Sequence, residues 1–142
     1  PADSCMDVDF VANGLMPPVV READVALFPN RCEGGTNLVA MECMAAGVPT
    51  ILSANTGHLD LLAGPDVAYP LTRQRPFRSP YPIGTEGWGE SDIDEIVETL
   101  EAVYSDRATA AARAARASAW MASEWNWRRH AERLLREVRE VA

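Results

Sequence analysis

The 142-residue chain reads as an α/β protein with a parallel sheet, flanking helices and a helical C-terminal segment. Two observations predict this class. In the first half, short apolar runs bounded by Gly and Pro alternate with helix-prone stretches, the pattern of strand–helix–strand units. The last third is rich in Ala, Arg and Glu with helical spacing of its apolar residues.

"DFVAN" opens as a short strand or its tail. "LMPPVVREA" is a brief helix with Pro17 and Pro18 near its first turn, where a missing N–H costs nothing. "DVALFPN" is a continuous apolar run closed by Pro29, as expected of a buried parallel strand. "CEGG" is a turn. "TNLVAMECMAA" is a helix capped by Thr36 or Asn37 and ended at Gly47, with Pro49 beyond. "VPTILSAN" and "VAYPL" are the second and third strands, and "GHLDLLAG" between them is a short helix ended by Gly64. Right-handed crossovers place the helices on both faces of such a sheet.

Residues 72–90 show no convincing element and read as an irregular loop of functional length. Ser91 then caps a helix whose apolar stripe runs through Ile93, Ile96, Val97, Leu100, Val103 and Tyr104. "RATAAARAARASAWMASEW" and "NWRRHAERLLREVREVA" complete the helical segment. The arginines of the closing "NWRRHAERLLREVREVA" helix are expected on a solvated face, and Trp120, Trp125 and Trp127 are expected to pack. The chain is thus read as one domain, 1–142: sheet and motif in 1–71, loop in 72–90, helices in 91–142.

Composition bounds the function. The net charge is −8 and there is no Lys, which argues against nucleic acid as a partner. No apolar run is long enough to span a membrane. "PADSCMDVDF" lacks the basic start and apolar core of a secretory signal, so a cytoplasmic location is expected. Cys5, Cys32 and Cys43 show no CxxC spacing, so neither zinc nor a disulfide framework is expected. For Cys32 and Cys43 the expectation is buried, unreactive thiols.

Between Leu38 and Leu52 the only charged residue is Glu42. A carboxylate among apolar neighbours must face either water or a polar ligand, because burying an ionised carboxylate unpaired costs more than burying any neutral polar group. The "EGGTN" turn lies where the first strand's carboxyl end should point, the usual ligand position in an open α/β sheet. Gly34 and Gly35 let a ligand approach the backbone, and the helix that follows offers free N–H groups suited to phosphate. A carboxylate one turn further in could accept hydrogen bonds from sugar hydroxyls attached to that phosphate. His58 either lines the same pocket or is an exposed loop histidine. Asn55 and Gly57 read as a structural turn.

These residues resemble a known family. "EGGTNLVAMECMAAGVPTILSANTGHLDLL" is similar to the donor-binding motif of family 4 (group 1) glycosyltransferases, in the C-terminal domain of the GT-B fold. "READVALFPNRCEGG", "GWGESDIDEIVETLEAVYSD" and "WNWRRHAERLLREV" extend the likeness from about Val19 to Val138. The resemblance implies a Rossmann-like sheet and retaining transfer from a nucleoside-diphosphate sugar, with no required metal or other cofactor. It places the ribose hydroxyls on Glu42 and the donor sugar on Glu33. It places the diphosphate on the Gly34–Gly35–Thr36–Asn37–Leu38–Val39 turn, whose amides from Thr36 to Val39 would hold it. One departure is that eight residues separate Glu33 from Glu42, one more than the family's usual spacing. Either the turn bulges or Glu33 does not serve the family's role. The other departure is length. The chain is expected to be the incomplete C-terminal half of a GT-B fold, without its N-terminal acceptor domain and inactive alone. The alternative is a non-catalytic nucleotide-binding module. The acceptor is unknown from sequence, and an uncovered sheet edge would favour a homo-oligomer.

Overall fold

A computed structural model of the chain describes residues 4, 6–81 and 84–141, so Cys5 and the loop residues Pro82 and Ile83 lie outside the described part. The architecture is mixed α/β and Rossmann-like. A short 3-10 turn at Asn13–Leu15 leads into α1 (Met16–Arg21). Then come β1 (Ala26–Phe28), α2 (Leu38–Ala45), β2 (Thr50–Ser53), α3 (His58–Leu62) and β3 (Tyr69–Leu71). The three strands form one parallel sheet in the order β1-β2-β3. β2 is central and every one of its side chains is buried, which explains its unbroken apolar sequence.

Side chains alternate across that strand and build two cores. Leu52 points to one face, where Ala40 and Met44 of α2, Leu61 of α3 and later helical residues close over it. Ile51 points to the other, against Leu71 and, from the C-terminal segment, Val103 and Ala110. A third small cluster joins Ala26, Cys43 and Val48, with Val20 of α1 packed on it.

The two ends of the segment 72–90 are more ordered than their sequence suggests. β4 (Gln74–Pro76) and β5 (Gly89–Ser91) pair antiparallel as a separate two-stranded ribbon. Phe77 and Trp88 stack beside it with centroids 5.9 Å apart. A three-residue strand carries too little periodicity to be seen in sequence. The expected strand at 9–13 is absent, since these residues pair with nothing and Asp9 takes a left-handed φ of 54°.

Three helices follow: α4 (Ile93–Ser105), α5 (Arg107–Glu124) and α6 (Trp127–Val141). The cap of α4 is Asp92, whose carboxylate accepts from the Glu95 amide, and not Ser91. Ser91 is still extended in β5, and its hydroxyl is occupied by Ser53 Oγ and Gln74 Nε2, each at 2.7 Å. The α4 stripe is narrower than expected. Val103 is buried with Ile96 and Leu100 beside it, while Ile93, Val97 and Tyr104 turn to solvent.

α5 presents Ala110, Ala114, Ala117 and Met121 inward, and these small residues let it lie close against α2 and the sheet. Asp66 holds α5 from outside by ion pairs with Arg113 and Arg116. The described side chains of α6 are exposed, its arginines as expected. Trp127 at its start is 92% exposed and does not pack, unlike Trp120 and Trp125, because α6 leaves the body of the domain at that point. Among the described residues no helix is long and apolar enough to cross a membrane.

The close contact of α5 with α2 generates a test. Ala117 is fully buried in it. Ala117→Leu should destabilise the fold by about 1–3 kcal/mol through overpacking, read as a lower midpoint in denaturant unfolding.

Candidate functional site

The expected site residues gather at the carboxyl ends of β1 and β2. Three backbone segments meet there: the turn 31–37 after β1, the turn 54–57 after β2, and the ribbon. Asn55 ties them. Its buried side-chain nitrogen lies 3.0 Å from the Asn30 carbonyl, 3.0 Å from Gln74 Oε1 and 3.2 Å from the Gly89 carbonyl. Two N–H groups serve three acceptors, so one bond is shared. Arg31 adds a second tie. Its carbonyl accepts from the Gly89 amide, and its guanidinium pairs with Glu90 at 2.6 Å while lying over the Phe77 ring.

Glu33 and the glycines rest directly on the second turn. The Glu33 amide donates to Thr56 Oγ1 at 2.7 Å, and the Gly57 amide donates to the Glu33 carbonyl at 3.2 Å. A β-carbon on Gly57 would lie 1.5 Å from the Gly35 carbonyl oxygen, so no side chain fits there. The glycine requirement is thus at Gly57. A β-carbon at Gly34 or Gly35 would meet nothing within 4 Å, and neither has a positive φ. Packing gives no reason for glycine at those two positions, and open space stands above them. The Glu33 carboxylate is half-buried and accepts from the Gly35 amide at 3.3 Å.

Asn37 caps α2, resolving the choice between it and Thr36. It takes a left-handed conformation with φ 60°, and its side-chain oxygen accepts from the Ala40 amide at 3.0 Å. Its side-chain nitrogen lies 2.9 Å from Nε2 of His58. His58 Nδ1 is 3.2 Å from the Ser53 carbonyl. This pattern assigns the neutral imidazole with its proton on Nδ1. His58 is fully buried, so the exposed-loop reading is overturned. The imidazole joins the end of β2 to the cap of α2, and the Asn37 side chain is wholly committed to that arrangement.

The first amides of a helix have no carbonyl acceptor within it. Here the Asn37 side chain satisfies Ala40 and the Asn37 carbonyl satisfies Met41. Among the described residues nothing accepts from Leu38 or Val39, and both side chains are exposed, at 74% and 54%. Four positions after Leu38, Glu42 is also exposed. It has no hydrogen-bonded or ion-paired partner among the described residues, and it borders a small groove formed with Met16, Pro17, Val20 and Arg21 of α1. The carboxylate pays no burial penalty because it stays hydrated. Beside it, burial and then the Glu42 charge push the Cys43 thiol up, as expected of an unreactive cysteine, whereas Cys32 is only half-buried. Among the described residues no group of three His, Cys, Asp or Glu is placed to hold a metal ion.

Sequence reading missed Arg31 and Gln74 and took Asn55 for a simple turn residue. The available signal was a run of polar side chains directly after a fully buried strand.

Two outcomes are expected. Burial lowers the His58 pKa, outweighing the Ser53 carbonyl and the Glu33 charge, which act to raise it. The unfolded chain therefore binds a proton here that the folded chain refuses. Stability should be fully present above about pH 6.5 and fall as the pH drops below it. Denaturant unfolding across this range checks the slope, and His58→Gln should flatten it. Gly57→Ala should destabilise the turn by roughly 1–3 kcal/mol or more, seen as faster amide exchange at residues 33–35.

A family model described as "Family 4 Glycosyltransferase in conflict systems" matches residues 17–134. A search of curated proteins gives no significant match. The match spans most of the chain and contains the two turns and the ribbon described above, from Asn30 to Ser91. The chain belongs to a family of family 4 glycosyltransferases.

Proposed function

We propose that this chain carries the donor-binding part of a retaining glycosyltransferase that uses a nucleoside-diphosphate sugar. The observation that supports this most directly is the pair of unpartnered amides at Leu38 and Val39, opening α2 beside the uncrowded Gly34 and Gly35. Such amides and the positive end of the helix dipole suit a diphosphate. Glu42, hydrated and uncommitted one turn on, accepts hydrogen bonds from the ribose hydroxyls. Glu33 contacts the donor sugar. Thr36 and Asn37 shape the turn, Asn37 through its cap.

In the reaction the bond from the sugar's anomeric carbon to the diphosphate oxygen breaks. A bond to an acceptor oxygen forms, the acceptor hydroxyl loses its proton, and the nucleoside diphosphate leaves. No protein nucleophile is invoked. Rate comes from positioning and from stabilising the leaving diphosphate, with no metal required. The acceptor is held by a separate acceptor domain. One observation favours a non-catalytic nucleotide-binding module as a second reading: the lengthened turn engages the Glu33 carboxylate with its own Gly35 amide.

Calorimetric titration with UDP, GDP and ADP tests the donor site. One nucleotide should bind, and Glu42→Ala should weaken it roughly tenfold or more, the loss of one or two hydrogen bonds to a charged group. Absence of binding by all three in a folded chain would refute the proposal. Sugar transfer on addition of an acceptor domain would separate the enzyme from the binding module.

A further inference from the structure

The elbow between α5 and α6 frames an open groove of about 580 Å³ that, apart from Thr36 at one end, is lined by residues the donor reading does not use. Its wall is aromatic. Trp120 is seated over Gly64, where a β-carbon would come within 2.8 Å of the indole, so the ring's place depends on that glycine. Trp125 stands edge-on to Trp120 at 5.8 Å, and His130 tilts against Trp125 at 5.4 Å. The elbow is tied down. The Trp125 amide donates to the Met121 carbonyl, and the Asn126 side chain donates to the carbonyls of Ala122 and Ser123 while accepting from the Arg129 amide.

The rim carries charges of both signs. Asp60 and Glu124 supply carboxylates, Arg129 and Arg133 guanidinium groups. Arg129 is held toward Glu124 at 2.8 Å. At one end the groove reaches Thr36, in the turn before α2.

A phosphate group would meet two carboxylates here, and an apolar ligand would leave four charges facing it. A neutral sugar satisfies both halves of the groove. Its C–H groups pack against the aromatic side chains of Trp120, Trp125 and His130 that line the wall. Its hydroxyls both donate and accept, so carboxylates take their protons and guanidinium groups give theirs. The volume falls in the range of small-ligand sites, about 300–1,000 Å³. We infer that this groove is a binding site for a neutral carbohydrate of mono- or disaccharide size, adjoining the site proposed for the nucleotide only at Thr36. It does not require the donor reading.

The intact chain is screened on an array of neutral and anionic glycans. Tryptophan fluorescence titrations follow, with the best-retained neutral disaccharide and with inorganic phosphate. Neutral glycans should be retained and should shift the tryptophan emission, while phosphate should not. Asp60→Asn combined with Arg129→Ala lies on the exposed rim, so a native circular dichroism spectrum is expected. That variant should bind the disaccharide roughly tenfold or more weakly, the loss of charge-assisted hydrogen bonds. Three results would overturn the inference: no neutral glycan retained by the folded chain, retention of anionic glycans only, or undiminished binding by the rim variant. Nucleotide titration on the same preparations reads the donor site separately, so either site can fail while the other stands.

Discussion

The short polar chain from the Ser53 carbonyl through His58 to Asn37 and the Ala40 amide holds the two halves of the site in register. It begins at the end of the most buried strand and finishes inside the first turn of α2. An imidazole buried without partners would be costly. With both nitrogens satisfied, it becomes a rigid spacer. Because its unprotonated nitrogen faces the Asn37 amide, the amide oxygen is turned to the helix and cannot swing away. Asn37 is thereby fixed in a left-handed conformation that a non-glycine residue adopts only under constraint. The direction of the unpartnered Leu38 and Val39 amides follows from that constraint.

Around this spacer the turns are packed backbone to backbone. Gly57 lets the second turn touch Gly35, and Asn55 draws the ribbon against both. The ribbon of β4 and β5 thus belongs to the wall of the site. Among the described residues, the Leu38 and Val39 amides are left unpaired near the carboxyl ends of the strands, where α/β sheets present their ligands, and the exposed Glu42 carboxylate is left unpaired one turn further along α2.

Much of the fold was legible in the sequence. The Gly47 and Gly64 stops, the Pro17–Pro18 helix start and the three apolar runs located α1 to α3 and β1 to β3, because local propensity and burial agree at each. The inner workings of the site were not legible. Asn37 and His58 are 21 residues apart, and Ser53 and Ser91 are 38 apart. No periodicity links such pairs. The ribbon strands have three residues each, too few for a pattern, and Ser91 looked like a cap because its strand bond to β4 could not be seen.

By itself, the sequence determined the α/β class, the parallel sheet built from strand–helix–strand units and the polar, glycine-rich turn before α2. These depend on hydrophobic spacing and on residues close in the chain. The tertiary structure alone decided that His58 is buried and neutral, that Gly57 and not Gly34 or Gly35 is sterically required, that Glu42 stays in water, and that the two tail tryptophans wall a groove. Each of these depends on which surfaces meet after the chain has folded back on itself, and a side chain's burial and hydrogen-bond partners are set by those meetings rather than by its neighbours in sequence.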